Sequence, residues 1–283
     1  MTPEACHIAV VAPSTRLSPE VVERVQAIAA EQYPGRAPRL FFHPQCFASA
    51  GHFAGKDATR AAALIEVMND AAYDTVWFAR GGYGAGRLAE QVLPQLAPEA
   101  RSKTVVGYSD AGALLAAFYG AGFQRMAHGP MPQDVLREGG DAAIARALAW
   151  IVERDPAALE PSVGMSGQHA AFNMAVLSSI VGTPWQPDLA GHVLMLEEVS
   201  EYMYRIDRFL FHITSNPQIR RVAGLRLGRC SDIPDNDPDF GATDEEVAKF
   251  WCERSGIPWL GRADIGHDAA NKVVPFGAYS AVR

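Results

Sequence analysis

A serine, a pair of glutamates and a histidine in this 283-residue chain are of the types that form a nucleophilic triad. The serine lies in Gly107-Tyr108-Ser109-Asp110, after a β-branched run that begins at Thr104 and before an apolar segment from Ala111 to Tyr119. This order predicts a strand–turn–helix junction that holds the Ser109 hydroxyl out at the end of a sheet. Alternatively, Ser109 or Asp110 only caps the helix, although a serine can both cap and react.

The carboxylate and the base come from the second half of the chain. Glu197 and Glu198 follow the apolar run 193–196, and His267 lies in a polar loop bounded by glycine. Adjacent strand residues point to opposite faces, so at most one of the two acids can face inward, and the pattern alone favours a pair of surface acids. The setting of His267 suits a base better than that of a core histidine, and a glutamate is an adequate partner to fix its tautomer.

A glycine-rich loop, residues 80–86, follows a predicted strand and begins with Arg80, Gly81 and Gly82. Its glycines let the backbone approach a bound group closely, and backbone N–H groups there suit an oxyanion. The loop does not match the sequence motif of a phosphate-binding loop. The alternative is a turn that binds nothing.

Composition narrows the class of protein. The chain is 48% hydrophobic and 20% charged with a formal net charge of −7, which favours a soluble globular protein and disfavours nucleic acid or an anionic membrane as partner. Four scattered cysteines without CxxC spacing indicate reduced thiols and no zinc site. The acidic loop 235–239 lacks the glycine of a calcium loop and has Phe240 in its place. With no signal-like start and no long apolar run, we expect a cytoplasmic enzyme.

The elements that position these residues alternate in the first half of the chain. Strands are predicted over 7–12, 39–43, 75–79 and 104–107, and helices over 21–30, 57–70, 111–119 and 142–154. Such alternation predicts an α/β fold with a parallel sheet, whose carboxyl strand ends share one rim. The loop at Arg80 and the turn at Ser109 both follow strands, so we expect them on that rim.

The second half has a different pattern after a Pro- and Gly-rich stretch. It predicts a helix over 170–181, a strand over 192–197, a helix over 204–214, a strand over 222–227, a helix that Thr243 and Glu246 begin with a capping box, and short strands over 259–282. We therefore predict an α/β domain bearing the nucleophile over 1–155, a linker over 156–168, and a smaller, β-rich α+β domain over 169–283.

Motifs over nearly the whole chain resemble those of the LD-carboxypeptidases, the serine peptidase family that includes the microcin C self-immunity protein. They occur in family order. The matching stretches are Ala12-Pro13-Ser14, Arg80-Gly81-Gly82-Tyr83-Gly84 with Arg87-Leu88, Gly107-Tyr108-Ser109-Asp110, His128-Gly129-Pro130, Gly182-Thr183-Pro184, Leu196-Glu197-Glu198-Val199 with Glu201, Tyr204-Arg205-Ile206-Asp207-Arg208, and Gly266-His267 with Asn271 and Pro275-Phe276-Gly277.

The resemblance implies a flavodoxin-like first domain, a cleft between the domains and a homodimer. It implies Ser109 as nucleophile, His267 as base and Glu197 as the residue that orients it. The oxyanion donors would be the backbone N–H of Asp110 and of a glycine of Arg80-Gly81-Gly82, with Gly82 preferred. No metal or organic cofactor is implied.

Two stretches depart from the family pattern. Ala170-Ala171-Phe172 stands where two glycines are usual before Asn173, and Ala111-Gly112 follows Ser109-Asp110. We expect Phe172 to add bulk near the cleft and to affect substrate choice more than the triad.

Three functions remain open from the sequence. The first is hydrolysis of the bond between an L-centre and a terminal D-amino acid in a muropeptide, during cell-wall recycling. The second keeps the triad but takes a peptidyl or aminoacyl adenylate analogue, which needs an aromatic surface that Trp185, Trp251 or Trp259 could supply. The third is a non-catalytic binding protein that uses the same cleft.

Overall fold

Two β-sheets organise the part of the chain that the computed structural model describes, residues 6–164 and 167–279. The first sheet has the strand order β10-β5-β4-β3-β1-β2. Its strands are β1 (His7–Val11), β2 (Arg39–Phe42), β3 (Thr75–Phe78), β4 (Thr104–Gly107), β5 (Met126–His128) and β10 (Val274–Pro275). All neighbours pair in parallel except β10, which is antiparallel to β5. The α/β class predicted for this half is confirmed.

Helices cover both faces of the first sheet. They are α1 (Glu20–Gln32), α2 (Asp57–Asn69), α3 (Ala89–Val92), α4 (Gly112–Gly120) and α5 (Gly140–Glu153). Strands β3 and β4 are buried along their whole length, as expected for strands enclosed by crossover helices. Helix α1 begins at Glu20, one residue before the predicted helix over 21–30, and Pro19 occupies its cap position.

The second sheet has the order β11-β6-β7-β8-β9. Its strands are β6 (Gln168–Asn173), β7 (His192–Val199), β8 (Gly224–Ser231), β9 (Trp259–Arg262) and β11 (Gly277–Ala278), and the helices between them are α6 (Met174–Ile180), α7 (Met203–Ser215) and α8 (Asp244–Ser255). Strands β6 to β9 pair in parallel and only β11 is antiparallel. The capping box of α8 is present, with Thr243 as cap and Glu246 at the third position.

The helix predicted over 170–181 is wrong in its first part, because residues 170–173 belong to β6. A short apolar run has no period that separates a buried strand from a helix, and here pairing with β7 decides for the strand. Asn173 ends the strand, and its side-chain oxygen accepts the Val176 N–H to begin α6.

The end of the chain ties the two sheets together. Strand β10 extends the first sheet beside β5, whereas β11, only two residues later, pairs with β6 of the second sheet. Val273 also forms a bridge with Leu159 at the start of the predicted linker. The domain ranges stay a prediction, and β10 is the segment that crosses between the sheets. This crossing holds the preceding loop, which contains His267, against the first sheet.

Apolar packing is continuous between the sheets. Phe172 of β6 packs edge-on against Phe276, with ring centroids 5.1 Å apart, and Tyr119 of α4 donates to or accepts from His192 Nε2 at 2.8 Å.

None of the described helices has the length and apolar character that a membrane span requires.

Candidate active site

Ser109, His267 and Glu197, far apart in sequence, form one chain of hydrogen bonds in the structure. The Ser109 Oγ lies 2.9 Å from His267 Nε2, and His267 Nδ1 lies 2.5 Å from Glu197 Oε2. The serine follows β4, the glutamate lies within β7, and the histidine lies between β9 and β10. Both sheets therefore contribute to the group, which has the connectivity of a nucleophile, a base and an orienting acid.

The backbone at Ser109 is left-handed, with φ of 58°. A non-glycine residue there costs about 1–2 kcal/mol, and such conformations concentrate at sites where the surroundings enforce them. A short 3-10 turn, Ser109–Ala111, follows and leads into α4. The junction predicted from the sequence is present, and no side chain caps this turn. The serine hydroxyl instead faces His267.

His267 is buried, with 8% of its surface exposed, and its partners fix the tautomer. A carboxylate only accepts, so Nδ1 carries a hydrogen and donates to Glu197, which leaves Nε2 of the neutral ring to accept the Ser109 hydroxyl. Burial opposes the charged ring, but the charge of Glu197 and its hydrogen bond outweigh burial and raise the pKa of His267 above its ordinary value. The ring of Tyr108 lies against the imidazole with centroids 4.9 Å apart.

The two glutamates lie on opposite faces of β7, and both are buried. Glu197 has no exposed surface and faces His267, whereas Glu198 is 3% exposed and faces α6. The Glu198 carboxylate accepts hydrogen bonds from Asn173 Nδ2 at 2.6 Å and from the Ala175 N–H at 2.8 Å. The interpretation of a surface acid pair is therefore wrong. Each acid accepts hydrogen bonds from donors on its own face of β7, and the sequence pattern does not reveal these donors.

The glycine-rich loop lies against the serine. A Cβ added to Gly81 would come within 2.8 Å of both Cβ and Oγ of Ser109, so only glycine fits there. Gly82 has φ of 110° and is exposed. Arg80 is exposed, and its guanidinium donates to the Arg16 carbonyl at 3.3 Å, so the structure places its side chain on the surface.

Asp110 has a structural role in its side chain as well as a backbone N–H beside the serine. Its Oδ2 accepts from Ser14 Oγ at 2.5 Å and from the Ala85 N–H at 2.8 Å, which joins the loops after β1, β3 and β4. Burial raises the pKa of the Asp110 carboxyl, and the bonds from Ser14 and Ala85 oppose that shift.

Three residues that the sequence analysis named only within motifs, without a role, support the site. Tyr108 donates to Asp134 Oδ1 at 2.8 Å, which holds its ring beside His267. Asn271 Oδ1 accepts from the Gly266 N–H at 3.2 Å and lies 3.2 Å from His128 Nε2. Burial lowers the pKa of His128 to about 4, so this ring is neutral. The motif matches included His128 and Asn271, but only the fold shows that they hold the loop of His267.

Phe172 is not a cleft residue. It is 1% exposed and packs against Phe276, and its Cδ1 would lie 3.5 Å from a Cβ at Gly112. The prediction that Phe172 adds bulk near the cleft is therefore wrong. Side chains of successive strand residues alternate between the two faces of a sheet, and that of Phe172 faces the core.

The three candidate tryptophans lie away from the triad. Trp185 lies between the end of α6 and the start of β7, and Trp259 begins β9, so both are at the amino ends of the second sheet. Trp251 lies on α8 and donates its indole N–H to Asp207 of α7. Glu197 and His267 lie toward the other end of that sheet.

Residues that could hold a metal do not converge. Within residues 6–164 and 167–279, no three His, Cys, Asp or Glu side chains are grouped as metal ligands would be. All four cysteines are free thiols, of which Cys46 and Cys252 are buried.

Comparison with known proteins assigns the family. The profile of the LD-carboxypeptidase N-terminal domain matches residues 8–129, and that of the C-terminal domain matches residues 166–282. A Synechocystis protein classed among the carboxypeptidases is 32% identical over 237 residues, which are 81% of this chain and 76% of the relative. The murein tetrapeptide carboxypeptidase of Pseudomonas aeruginosa is 25% identical over 96% of this chain and 91% of its own.

Solved structures share the fold. The muramoyltetrapeptide carboxypeptidase of Oxalobacter formigenes superposes with a TM-score of 0.79 at 22% identity, over 96% of this chain and 92% of its own. The microcin C7 self immunity protein, in complex with aspartyl sulfamoyl adenosine, superposes with a TM-score of 0.78 at 17% identity, over 96% and 91%. Together with the two matched domain profiles, these likenesses confirm the resemblance read from the motifs: the chain belongs to the LD-carboxypeptidase family.

Proposed function

We propose that this carboxypeptidase is a serine peptidase that removes a C-terminal D-amino acid from a cell-wall tetrapeptide, with Ser109 as nucleophile, His267 as base and Glu197 as the orienting acid. The observation that carries the proposal is the continuous hydrogen-bond chain from Ser109 Oγ through His267 to Glu197 Oε2. Such a chain provides a route by which the serine proton can leave as the hydroxyl attacks a carbonyl carbon.

The reaction proceeds by acyl transfer. His267 Nε2 takes the hydroxyl proton as Ser109 Oγ bonds to the carbonyl carbon of the scissile amide, and Glu197 stabilises the imidazolium that forms. The backbone N–H groups of Gly82 and Asp110 hold the oxyanion of the tetrahedral intermediate. His267 then protonates the leaving amine of the D-amino acid. Water, deprotonated by the same ring, hydrolyses the acyl-enzyme and returns the serine.

The two backbone donors are supported by what surrounds them. Among the described residues, no acceptor takes the N–H of Gly82 or of Asp110. Asp110 directly follows the nucleophile at the start of a helical turn, and a Cβ on Gly81 would lie 2.8 Å from the serine Oγ. A pair of unused N–H groups beside a nucleophile is the arrangement that an oxyanion requires. Arg80 and Gly81 form the substrate-binding edge of the same loop in this proposal.

Substrate class is supported by the family and by the Pseudomonas aeruginosa relative, whose name specifies a murein tetrapeptide. The scissile bond is then the amide between an L-centre and the terminal D-amino acid. The adenylate analogue is less favoured, because Trp185 and Trp259 lie at the amino ends of strands whose other ends are near Glu197 and His267, and Trp251 on α8 is hydrogen-bonded to Asp207. A non-catalytic binding protein would not need the serine and histidine to be hydrogen-bonded.

Mass spectrometry of a murein tetrapeptide tests the proposal. We expect the wild type to release one D-alanine, and Ser109→Ala or His267→Ala to lower turnover by about 10³-fold or more. Ser102→Ala serves as the matched control, since Ser102 is exposed and donates only to the Glu99 carbonyl. No release by a folded wild type would refute the assignment as a tetrapeptidase, and near-normal rates in Ser109→Ala would remove that residue from the mechanism.

The resemblance also implies a homodimer in the cytoplasm. Sedimentation velocity at micromolar concentration tests the oligomeric state, and a monomer at every concentration would contradict it.

A further inference from the structure

The loop after β1 meets both sides of the proposed oxyanion site through two consecutive residues. Ser14 is fully buried and Thr15 is 8% exposed. Strand β1 pairs with β3 in parallel, so the loops that follow the two strands are neighbours. The Thr15 side chain therefore lies beside the glycine-rich loop, and the Ser14 side chain reaches Asp110.

Thr15 grips one peptide group of that loop. Its hydroxyl donates to the Gly81 carbonyl at 2.7 Å, and its own backbone N–H points to the same oxygen at 3.4 Å. A Cβ on Gly82 would lie 2.5 Å from Thr15 Cγ2 and 2.7 Å from its Oγ1. Thr15 thus restrains the Gly81–Gly82 peptide in two ways. It hydrogen-bonds to the Gly81 carbonyl, and its side chain packs closely against Gly82.

This grip sets the direction of the Gly82 N–H. In a planar trans peptide the carbonyl and the following N–H point in opposite directions. Because the Gly81 carbonyl is held on Thr15, the N–H of Gly82 points away from Thr15. The Cα of Gly81 faces Ser109, since a Cβ built there would be 2.8 Å from the serine Oγ. Without the hydroxyl bond, only the longer backbone contact at 3.4 Å and the packing of Thr15 would restrain this peptide, and two adjacent glycines allow it a wider range of rotation.

Resting on the proposed function, we propose that Thr15 is a positioning residue that holds the Gly81–Gly82 peptide so that the Gly82 N–H is directed at the oxyanion. Ser14 does the same for the other donor, because its hydroxyl holds the Asp110 carboxylate at 2.5 Å and thereby the turn at Ser109. The consecutive residues Ser14 and Thr15 thus position both backbone donors, the N–H groups of Asp110 and Gly82, before substrate binds.

A reaction that needs no peptide substrate tests Thr15. A fluorophosphonate reacts when Ser109 Oγ bonds to phosphorus, the hydroxyl proton passes to His267 and fluoride leaves as the P–F bond breaks. The phosphoryl oxygen then takes the place of the oxyanion. We would measure the rate of phosphonylation by intact mass, with Ser109→Ala as the negative control.

Two pairs of proteins isolate the hydroxyl. Wild type and Thr15→Val differ by hydroxyl against methyl, and Thr15→Ser and Thr15→Ala differ by one oxygen. We expect at least a tenfold lower rate in Thr15→Val and Thr15→Ala, with Thr15→Ser within about threefold of wild type, since removal of an oxyanion donor itself costs about 10²–10³-fold. With tetrapeptide the loss should appear in kcat with KM little changed.

The outcomes separate the two proposals. If wild type is labelled at Ser109 and Thr15→Val is labelled equally fast, the role of Thr15 is refuted and the serine mechanism stands. The same holds if Thr15→Ser is as slow as Thr15→Ala, since the hydroxyl then contributes nothing. If folded wild type is not labelled, the activated serine is refuted and the role of Thr15 with it. Thermal unfolding identifies a variant that fails to fold, and the other pair then decides.

Discussion

Replacement of Glu197 by glutamine removes one charge from the site and almost no volume. The carboxylate has no exposed surface, and its Oε2 lies 2.5 Å from His267 Nδ1. A glutamine that turns its amide toward the ring donates to Nδ1 and forces the hydrogen onto Nε2, which then cannot accept the Ser109 proton. The substitution also removes the charge that favours the imidazolium.

The magnitude follows from the wrong tautomer. Conversion of the orienting acid of a serine-protease triad to an amide lowers kcat by about 10⁴-fold, so we expect a loss of about 10³–10⁴-fold in Glu197→Gln. This is a rise of about 4–5 kcal/mol in activation free energy. Glu198→Gln is the matched control, because Glu198 is equally buried on the same strand but bonds to Asn173 and Ala175. We expect its activity within about threefold of wild type once folding is verified.

The pH profile gives a second readout from the same proteins. The base is active when neutral, so kcat/KM falls as pH falls through the pKa of His267. Because Glu197 raises that pKa, the wild-type midpoint should lie above the ordinary value of about 6.5. In Glu197→Gln burial remains but the carboxylate charge is gone, so the midpoint should move down.

The assay is release of D-alanine from a tetrapeptide, followed from pH 5 to 9 with wild type, Glu197→Gln and Glu198→Gln. A loss of less than tenfold in Glu197→Gln would refute the reasoning. Equal losses in the two glutamine variants would show that burial of charge in β7, and not orientation of His267, carries the effect. A flat wild-type profile would contradict the histidine base.

Two further predictions concern packing and stability. Gly81→Ala should lower kcat by about 10²-fold or more, because its Cβ would displace Ser109 from a distance of 2.8 Å; Gly86→Ala, whose Cβ meets only ordinary contact at 3.5 Å, should stay near wild type, and equal rates in both would refute the contact. His128 is buried with a pKa of about 4 in the folded protein, so the unfolded chain binds more protons between about pH 4 and 6.5. The free energy of unfolding should therefore fall by up to about 3 kcal/mol as pH falls through that range. Urea unfolding of His128→Gln at pH 4.5 and 7 should show less of this loss, with exposed His52→Gln as control, and an unchanged pH dependence would contradict the assignment.

Several elements were predictable because their signals are local. The strand that ends at Gly107, the turn at Ser109 and the helix after it follow from a β-branched run, a glycine and an apolar segment that are contiguous. The capping box at Thr243 and Glu246 is likewise complete within four residues. The strand at Ala170 to Asn173 was not predictable, because only pairing with β7 separates it from a helix.

The sequence by itself determined the residue types of the proposed triad, the alternation that makes a parallel sheet, and the family, since each depends on short stretches of chain. Only the tertiary structure decided which of Glu197 and Glu198 meets the histidine, where Phe172 and the tryptophans lie, and that Thr15 holds the Gly81–Gly82 peptide. The physical reason is the distance along the chain over which each kind of interaction acts. Propensity and periodicity act over a few residues, whereas Ser109 and His267 are separated by 158 positions and meet only when two sheets pack and the last strands cross between them.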